Sequence, residues 1–265
     1  MEFTMNRIFN LDGKTAVVTG GAGYLGKAIS EGLAEAGATV YIVSSDEMKC
    51  IDLAEKIAKN TGAKCFGKSI DIRKEASIIK CFQEIFEATG SIDILVNNAA
   101  FSSPGKLVTM SEEDWLKGID GTINGTFRCT KGVLPYMMDQ KKGSIINMSS
   151  MYGVVSPNPE IYGDSGMDNP ANYGAGKAAI NQFTRYIACH YGKHGIRANT
   201  VSPGPFPNPS VQANTNFIKH LEEKNPLGRI GKPEDLKGIM VFLASAASAY
   251  ITGENISVDG GWTAW

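Results

Sequence analysis

The stretch Thr19-Gly20-Gly21-Ala22-Gly23-Tyr24-Leu25-Gly26 decides how this chain is read. Before it stands a β-branched run, Lys14–Thr19. Within and after it, Leu25, Ile29 and Leu33 repeat at i, i+4, i+8. The run reads as a buried strand and the stripe as a helix over Tyr24–Ala36, stopped by Gly37. Glycines at such a junction allow a tight turn and close backbone approach, and the free N–H groups of a helix N-terminus favour an anion. A second strand, Ala38–Val43, follows, so strand, loop, helix and strand fall in the order of a dinucleotide-binding unit. Gly20, Gly23, Tyr24, Leu25 and Gly26 are the candidates to hold a pyrophosphate. The bland alternative is a glycine-rich turn with no ligand.

The alternation continues outward from this unit. Helical periods cover 46–60, 73–89, Ser111 to about Met138, a stretch starting near Tyr173, and 233–246. Short apolar runs cover Ala63–Gly67, Ile92–Val96, Ser144–Met148, Ile196–Val201 and Asn255–Val258. Continuous apolar strands between amphipathic helices imply an α/β protein, a Rossmann-type doubly wound parallel sheet covered on both faces. No linker or repeat divides the chain, so residues 1–265 read as a single domain. Two stretches, 153–172 and 203–225, are rich in Pro, Asn and Gly and lack a period. Both follow a strand, on the side where open α/β sheets bind ligands, and are expected to be substrate loops.

Composition sets the class. The chain has 265 residues with Lys+Arg 26 and Asp+Glu 27, a formal net charge of −1, and is 43% hydrophobic. That allows a sizeable core and argues against nucleic acid or an anionic membrane as partner, leaving a small-molecule substrate. Five cysteines with no CxxC spacing read as reduced thiols. The start MEFTMNRIFNLDG has no apolar signal-peptide core, and Val241–Ile251 is too short to span a bilayer. The expected location is cytoplasmic. His190 and His194 are four apart, but no third ligand is in view, so no metal is expected.

Two more positions carry chemistry. Ser44 and Ser45 end the second strand, where an acid would bind a ribose 2′-hydroxyl and a basic residue a 2′-phosphate. Neither serine excludes the phosphate, Lys49 lies a turn on, and Asp46 reads best as a helix cap. The cofactor expectation is NAD(P), leaning to NADP(H). Tyr173 and Lys177 are four apart and share a helix face. A neighbouring ammonium stabilises a phenolate and should lower the tyrosine pKa, which would make Tyr173 a proton donor and acceptor near neutral pH. Gly174 and Gly176, costly within a helix, suggest that something approaches closely there.

With the Thr19–Gly26 loop, Asn97-Asn98-Ala99-Ala100, Ser149-Ser150, Tyr173-x-x-x-Lys177, Pro203-Gly204, Asn225–Gly231 and Asp259-Gly260-Gly261 in this order, the chain resembles the short-chain dehydrogenase/reductase family over essentially its whole length. The resemblance implies a nicotinamide cofactor and a homotetramer. It implies catalysis by Ser150, Tyr173 and Lys177, with Lys177 also on the nicotinamide ribose. Asn98 and Ala99 would shape the cofactor cleft, Asp71 and Ile72 would meet the adenine, and Pro203 and Gly204 would border the cofactor. Departures are visible. The glycine spacing Gly20-x-x-Gly23-x-x-Gly26 is similar to the family's longer, sugar-nucleotide-modifying branch. Thr122 stands where a relay asparagine is common, with Asn124 two residues on. Asn208 replaces a threonine that touches the carboxamide, and Ser150 and Tyr173 are unusually far apart.

The expected function is interconversion of a secondary alcohol and a ketone. The polar loops suit a sugar, sugar acid or polyol, as in gluconate 5-dehydrogenase-like members. A 3-oxoacyl-thioester reductase is the enzymatic alternative; it would need a basic patch, and Lys141-Lys142 is the short cluster available. A non-catalytic dinucleotide sensor is the alternative of another class, opposed by the presence of both Tyr173 and Lys177.

Overall fold

Among the described residues seven strands form one parallel sheet in the order β3-β2-β1-β4-β5-β6-β7. They are β1 (Thr15–Thr19), β2 (Thr39–Ser44), β3 (Cys65–Ser69), β4 (Ile94–Asn97), β5 (Gly143–Met148), β6 (Ile196–Pro203) and β7 (Asn255–Val258). The computed structural model describes residues 4–163, 165 and 168–265. Asp164, Gly166 and Met167, in the first expected substrate loop, and residues 1–3, in the N-terminal stretch, lie outside the described residues.

Side chains alternate across the sheet and feed two cores. Ala16, Val18, Val40, Ile42 and Val96 face one side, under helices α2 (Tyr24–Glu35), α3 (Glu47–Thr61) and α10 (Lys237–Ala244). Val17, Tyr41, Val43, Leu95 and Ile145 face the other, under α4 (Glu75–Thr89), α6 (Gly125–Gln140) and α7 (Ala171–Tyr191). Burial on both faces explains why the strands read as unbroken apolar runs. The strand order reverses between β1 and β4, and at such a switch point the loops after both strands diverge and leave a crevice.

Four expectations need correction. The third strand lies two residues later than Ala63–Gly67. It is an edge strand whose residues are only partly buried, so its apolar signal is weak. The expected helix Ser111–Met138 is α5 (Glu112–Ile119), a π turn Asp120–Asn124, and α6. At that turn Phe101 packs so close to Gly121 that a Cβ there would lie 2.5 Å from its ring. The expected helix 233–246 begins as a 3₁₀ turn, Pro233–Leu236, before α10. Finally, 203–225 is not all loop. It holds α8 (Pro209–Gln212) and α9 (Thr215–Lys224), while α1 (Met5–Ile8) adds a short turn upstream.

Those late helices have their own small core. Ile161 of the 153–172 stretch meets Phe217 and Leu221 of α9, with Tyr162, Val211, Ile230 and Trp262 packed around them. The two segments that read as loops are therefore joined to each other.

Candidate active site

The glycine loop closes as its residue types require. Gly20 adopts φ +61°, and a Cβ there would lie 2.8 Å from Ala99 Cα. A Cβ on Gly26 would lie 2.2 Å from the Gly20 carbonyl oxygen. Thr19 holds the two diverging strands together: its hydroxyl donates to Val96 O at 3.2 Å and accepts from the amides of Asn98 and Ala99, each at 3.1 Å. Asn98 completes the fastening, donating through Nδ2 to the carbonyls of Thr19 and Gly20, both at 3.0 Å.

The crevice so formed is a cleft of about 710 Å³. It brings together Gly20, Gly23, Tyr24, Leu25, Gly26, Ser44, Ser45, Asp71, Ile72, Asn98 and Ala99, as the sequence suggests. It also gathers Arg73, Phe101 and Lys117, which sequence reasoning missed. Pro203, Gly204, Tyr173 and Lys177, also expected at the cofactor, do not line it. Gly204 packs on Asp259 instead, where a Cβ would come within 2.5 Å of Asp259 Cα. The cleft suits an extended dinucleotide, with a side-chain-free cradle at the N-terminus of α2 for the pyrophosphate.

Two charge pairs lie in the cleft, Lys49 with Asp46 and Arg73 with Asp71. Asp46 caps α3, accepting from Lys49 N at 3.1 Å and pairing with Lys49 Nζ at 3.1 Å; those hydrogen bonds hold its carboxyl below the usual range. Ser44 donates to Asp46 O and accepts from Asp46 N, so its hydroxyl serves the turn. Asp71 accepts from Arg73 Nε at 2.8 Å and Nη2 at 2.9 Å, and this fork keeps its carboxyl low.

At the carboxyl end of β5 lie the catalytic candidates. Ser150 accepts from Tyr152 N at 3.1 Å and hydrogen-bonds the Tyr173 phenol. Ser149 donates to Lys177 O at 2.8 Å, tying α7 to this strand end. Lys177 is buried; its ammonium donates to Met148 O at 2.7 Å and lies 5.6 Å from the centre of the Tyr173 ring. Burial lowers Lys177 to about 8.

Here the expectation for Tyr173 is corrected. Its pKa is raised, not lowered, because burial outweighs the Ser150 hydrogen bond. The Lys177 ammonium faces the ring and a backbone carbonyl, so the charge is not aimed at the phenolic oxygen.

Close approach does explain the helical glycines. A Cβ on Gly176 would sit 1.9 Å from Thr122 Oγ1, and one on Gly174 would sit 3.2 Å from Tyr152 O. Thr122 spends its hydroxyl on Gly118 O at 2.8 Å, and Asn124 donates to Asp120 Oδ1 at 3.3 Å. Asn208 caps α8 by accepting from Val211 N at 3.1 Å. His190 stacks on Tyr186 with ring centres 3.9 Å apart.

A family model described as enoyl-(acyl carrier protein) reductase matches residues 21–263. The chain belongs to the short-chain dehydrogenase/reductase family. Its relatives in that family include a 3-oxoacyl-[acyl-carrier-protein] reductase of Aquifex aeolicus, 36% identical over 95% of this chain and 98% of the relative. Galactitol 2-dehydrogenase of Rhizobium johnstonii is 33% identical over 97% of this chain and 98% of the relative. The solved gluconate 5-dehydrogenase of Burkholderia cenocepacia, in complex with NADP and tartrate, superposes with a TM-score of 0.88 at 30% identity, covering 99% of this chain and 100% of that one. As a short-chain dehydrogenase/reductase, this chain is an NAD(P)-dependent oxidoreductase that interconverts a secondary alcohol and a ketone. No helix among the described residues is long and apolar enough to cross a membrane.

Proposed function

We propose that the substrate is a sugar, sugar acid or polyol, taken up between the 153–172 and 203–225 segments of a single domain spanning 1–265. One observation carries this reading: a groove of about 390 Å³ between these segments, lined by Tyr162, Ser165, Asn214, Asn216, Phe217, Lys219 and His220. Six of the seven can exchange hydrogen bonds with hydroxyls, and an acyl chain would gain little there.

Tyr173 is the proposed acid and base. Its raised pKa keeps the phenol protonated at neutral pH, the form that gives a proton to a ketone oxygen. Ser150, already bonded to that phenol, orients the same oxygen. Lys177, still largely charged below about 8, lies 5.6 Å from the centre of the Tyr173 ring and favours the phenolate left behind only through space, not by a direct contact with its oxygen. When bound, the nicotinamide supplies or accepts the hydride. The cofactor leans to NADP(H): the Asp46 carboxylate is neutralised by Lys49, and Ser45, Lys49 and Arg73 border the same end of the cleft. The Burkholderia relative, crystallised with NADP, supports that lean.

The 3-oxoacyl-thioester reading is favoured by the Aquifex relative, but the Lys141-Lys142 cluster does not serve it. Lys142 immediately precedes β5 and pairs with Asp93 Oδ1 at 3.1 Å, at the end of the strand opposite Ser150. For assembly, we propose a cytoplasmic homotetramer. Its support is a groove between α6 and α7 whose Phe127 and Tyr186 remain 46% and 51% exposed, the kind of aromatic patch that a second copy covers. A screen of polyols, sugar acids and 3-oxoacyl thioesters, followed by nicotinamide absorbance, tests the substrate class. Turnover confined to thioesters would reject it.

A further inference from the structure

Tyr152 and Tyr162 form a hydroxyl pair beside the catalytic candidates. Tyr152 sits on the 3₁₀ turn Met151–Gly153, directly after Ser150, and its amide donates to Ser150 Oγ. Its side chain is buried. Tyr162 arrives from the 3₁₀ turn Pro159–Tyr162 and donates to the Tyr152 hydroxyl at 3.1 Å. The Tyr162 ring is stacked on Phe217 of α9, 5.7 Å centre to centre.

A phenol has one proton to donate. Tyr162 spends its proton on Tyr152. The proton of Tyr152 itself has no acceptor among the described residues, although the side chain lies in the protein interior. A buried donor with nothing to bind is costly unless a ligand takes it. Tyr152 lines a cavity of about 720 Å³ together with Gly174 and Ala175, the residues that follow Tyr173 on α7. Accepting from Tyr162 also strengthens the Tyr152 hydroxyl as a donor, because hydrogen bonds in a chain polarise one another.

We propose that the Tyr152 hydroxyl, held by Tyr162, binds the substrate oxygen on the carbon next to the reacting one, and so selects α-hydroxy ketones and vicinal diols over simple ketones and alcohols. This deepens the polyhydroxylated-substrate reading and rests on it. Bracing of the inserted segment does not account for the pair, since the Tyr162 ring already stacks on Phe217 without its hydroxyl.

The test compares reduction of 1-hydroxy-2-butanone with reduction of 2-butanone, which lacks only the neighbouring hydroxyl. Wild type should favour the hydroxy ketone by about tenfold or more in kcat/KM, the scale set by one good hydrogen bond. Tyr152→Phe should bring the ratio near one, chiefly through KM. Tyr162→Phe, which keeps the ring stack, should reduce the ratio by a smaller factor. A wild-type ratio near one, turnover of neither ketone, or an equal loss on both ketones in Tyr152→Phe would overturn the assignment. The polyol screen is independent of this ratio. A chain that rejects every polyol yet discriminates the two ketones would lose the substrate class and keep the tyrosine pair.

Discussion

Around β1, β2 and β4 the site is made of backbone: glycine carbonyls and amides, a fastening threonine and asparagine, and the N-terminus of α2. Around β5, β6 and the two inserted segments it is made of side chains that meet across long stretches of chain: Tyr162 on Tyr152, Phe217 under Tyr162, Ser149 on α7. The first half presents a fixed cradle that a Cβ would fill. The second half rests on a core of three buried residues, Ile161, Phe217 and Leu221. On the proposed reading, cofactor binding and the choice of alcohol would fall to parts that can change separately.

Substitutions should respect that division. The largest effect is expected from Tyr173→Phe: kcat falls by about 10²–10⁴-fold, the usual contribution of a general acid/base, while cofactor Kd barely moves. More than a tenth of wild-type kcat in this variant would remove Tyr173 from the acid/base role. Gly26→Ala should act on the other half. Its Cβ would meet the Gly20 carbonyl at 2.2 Å, so cofactor binding should weaken roughly tenfold or more, as the loop must shift. An unchanged Kd by fluorescence titration would show that the cradle tolerates the methyl group.

Lys177 sits at the seam between the halves, and its burial makes a pH signature. Held at about 8 against 10.5 in the unfolded chain, it keeps its proton less well when folded. Between these values the unfolded state binds more protons, so this residue makes stability rise with pH. Lys177→Met should remove a rise on the order of 1–3 kcal/mol over that window, measured by denaturant unfolding. The same rise in both proteins would mean that Lys177 is not its source.

Replacing 154–170 by a brief turn should raise KM for the alcohol about tenfold, through lost substrate contacts, and spare cofactor Kd. An unaltered substrate profile would mark the segment as peripheral. The smallest effect belongs to Ser44→Asp, which should shift kcat/KM several-fold toward NAD(H) by repelling a 2′-phosphate. A wild-type preference for NAD above about tenfold would sink the NADP(H) lean at the outset.

The cofactor half was readable because its signals are local. The loop, α2 and β2 announce themselves within thirty residues through glycine, period and β-branching. Tyr173 and Lys177 stood out through the ordered set of motifs that resembles the family, since a four-residue spacing alone fits an exposed pair on a helix surface equally well. What escaped depends on contacts between distant residues. Helix α9 buries only Phe217 and Leu221, too few for a visible period, and α8 is a single turn. Arg73 reaches the cleft because the turn after β3 aims it there. Phe101 packs on Gly121 within the π turn at Asp120–Asn124, a contact between distant residues that no local pattern announces. The raised Tyr173 pKa could not come from spacing, since the i, i+4 relation to Lys177 says nothing of which way the ammonium points.

The contact between Gly176 and Thr122 has a bearing on how this lineage can drift. With 1.9 Å between a would-be Cβ and the threonine oxygen, position 176 cannot acquire alanine or serine while 122 stays as it is. Position 122 can shrink first, and only then is 176 released. The two sites form an inherited pair with a preferred order of change, and Lys177 sits next in sequence to one of them. Gly176→Ala alone should therefore be a lesion that Thr122→Gly repairs better than Thr122→Ala, whose Cβ would still lie 2.7 Å from the new methyl group, and descendants that lose glycine at 176 should also differ at 122.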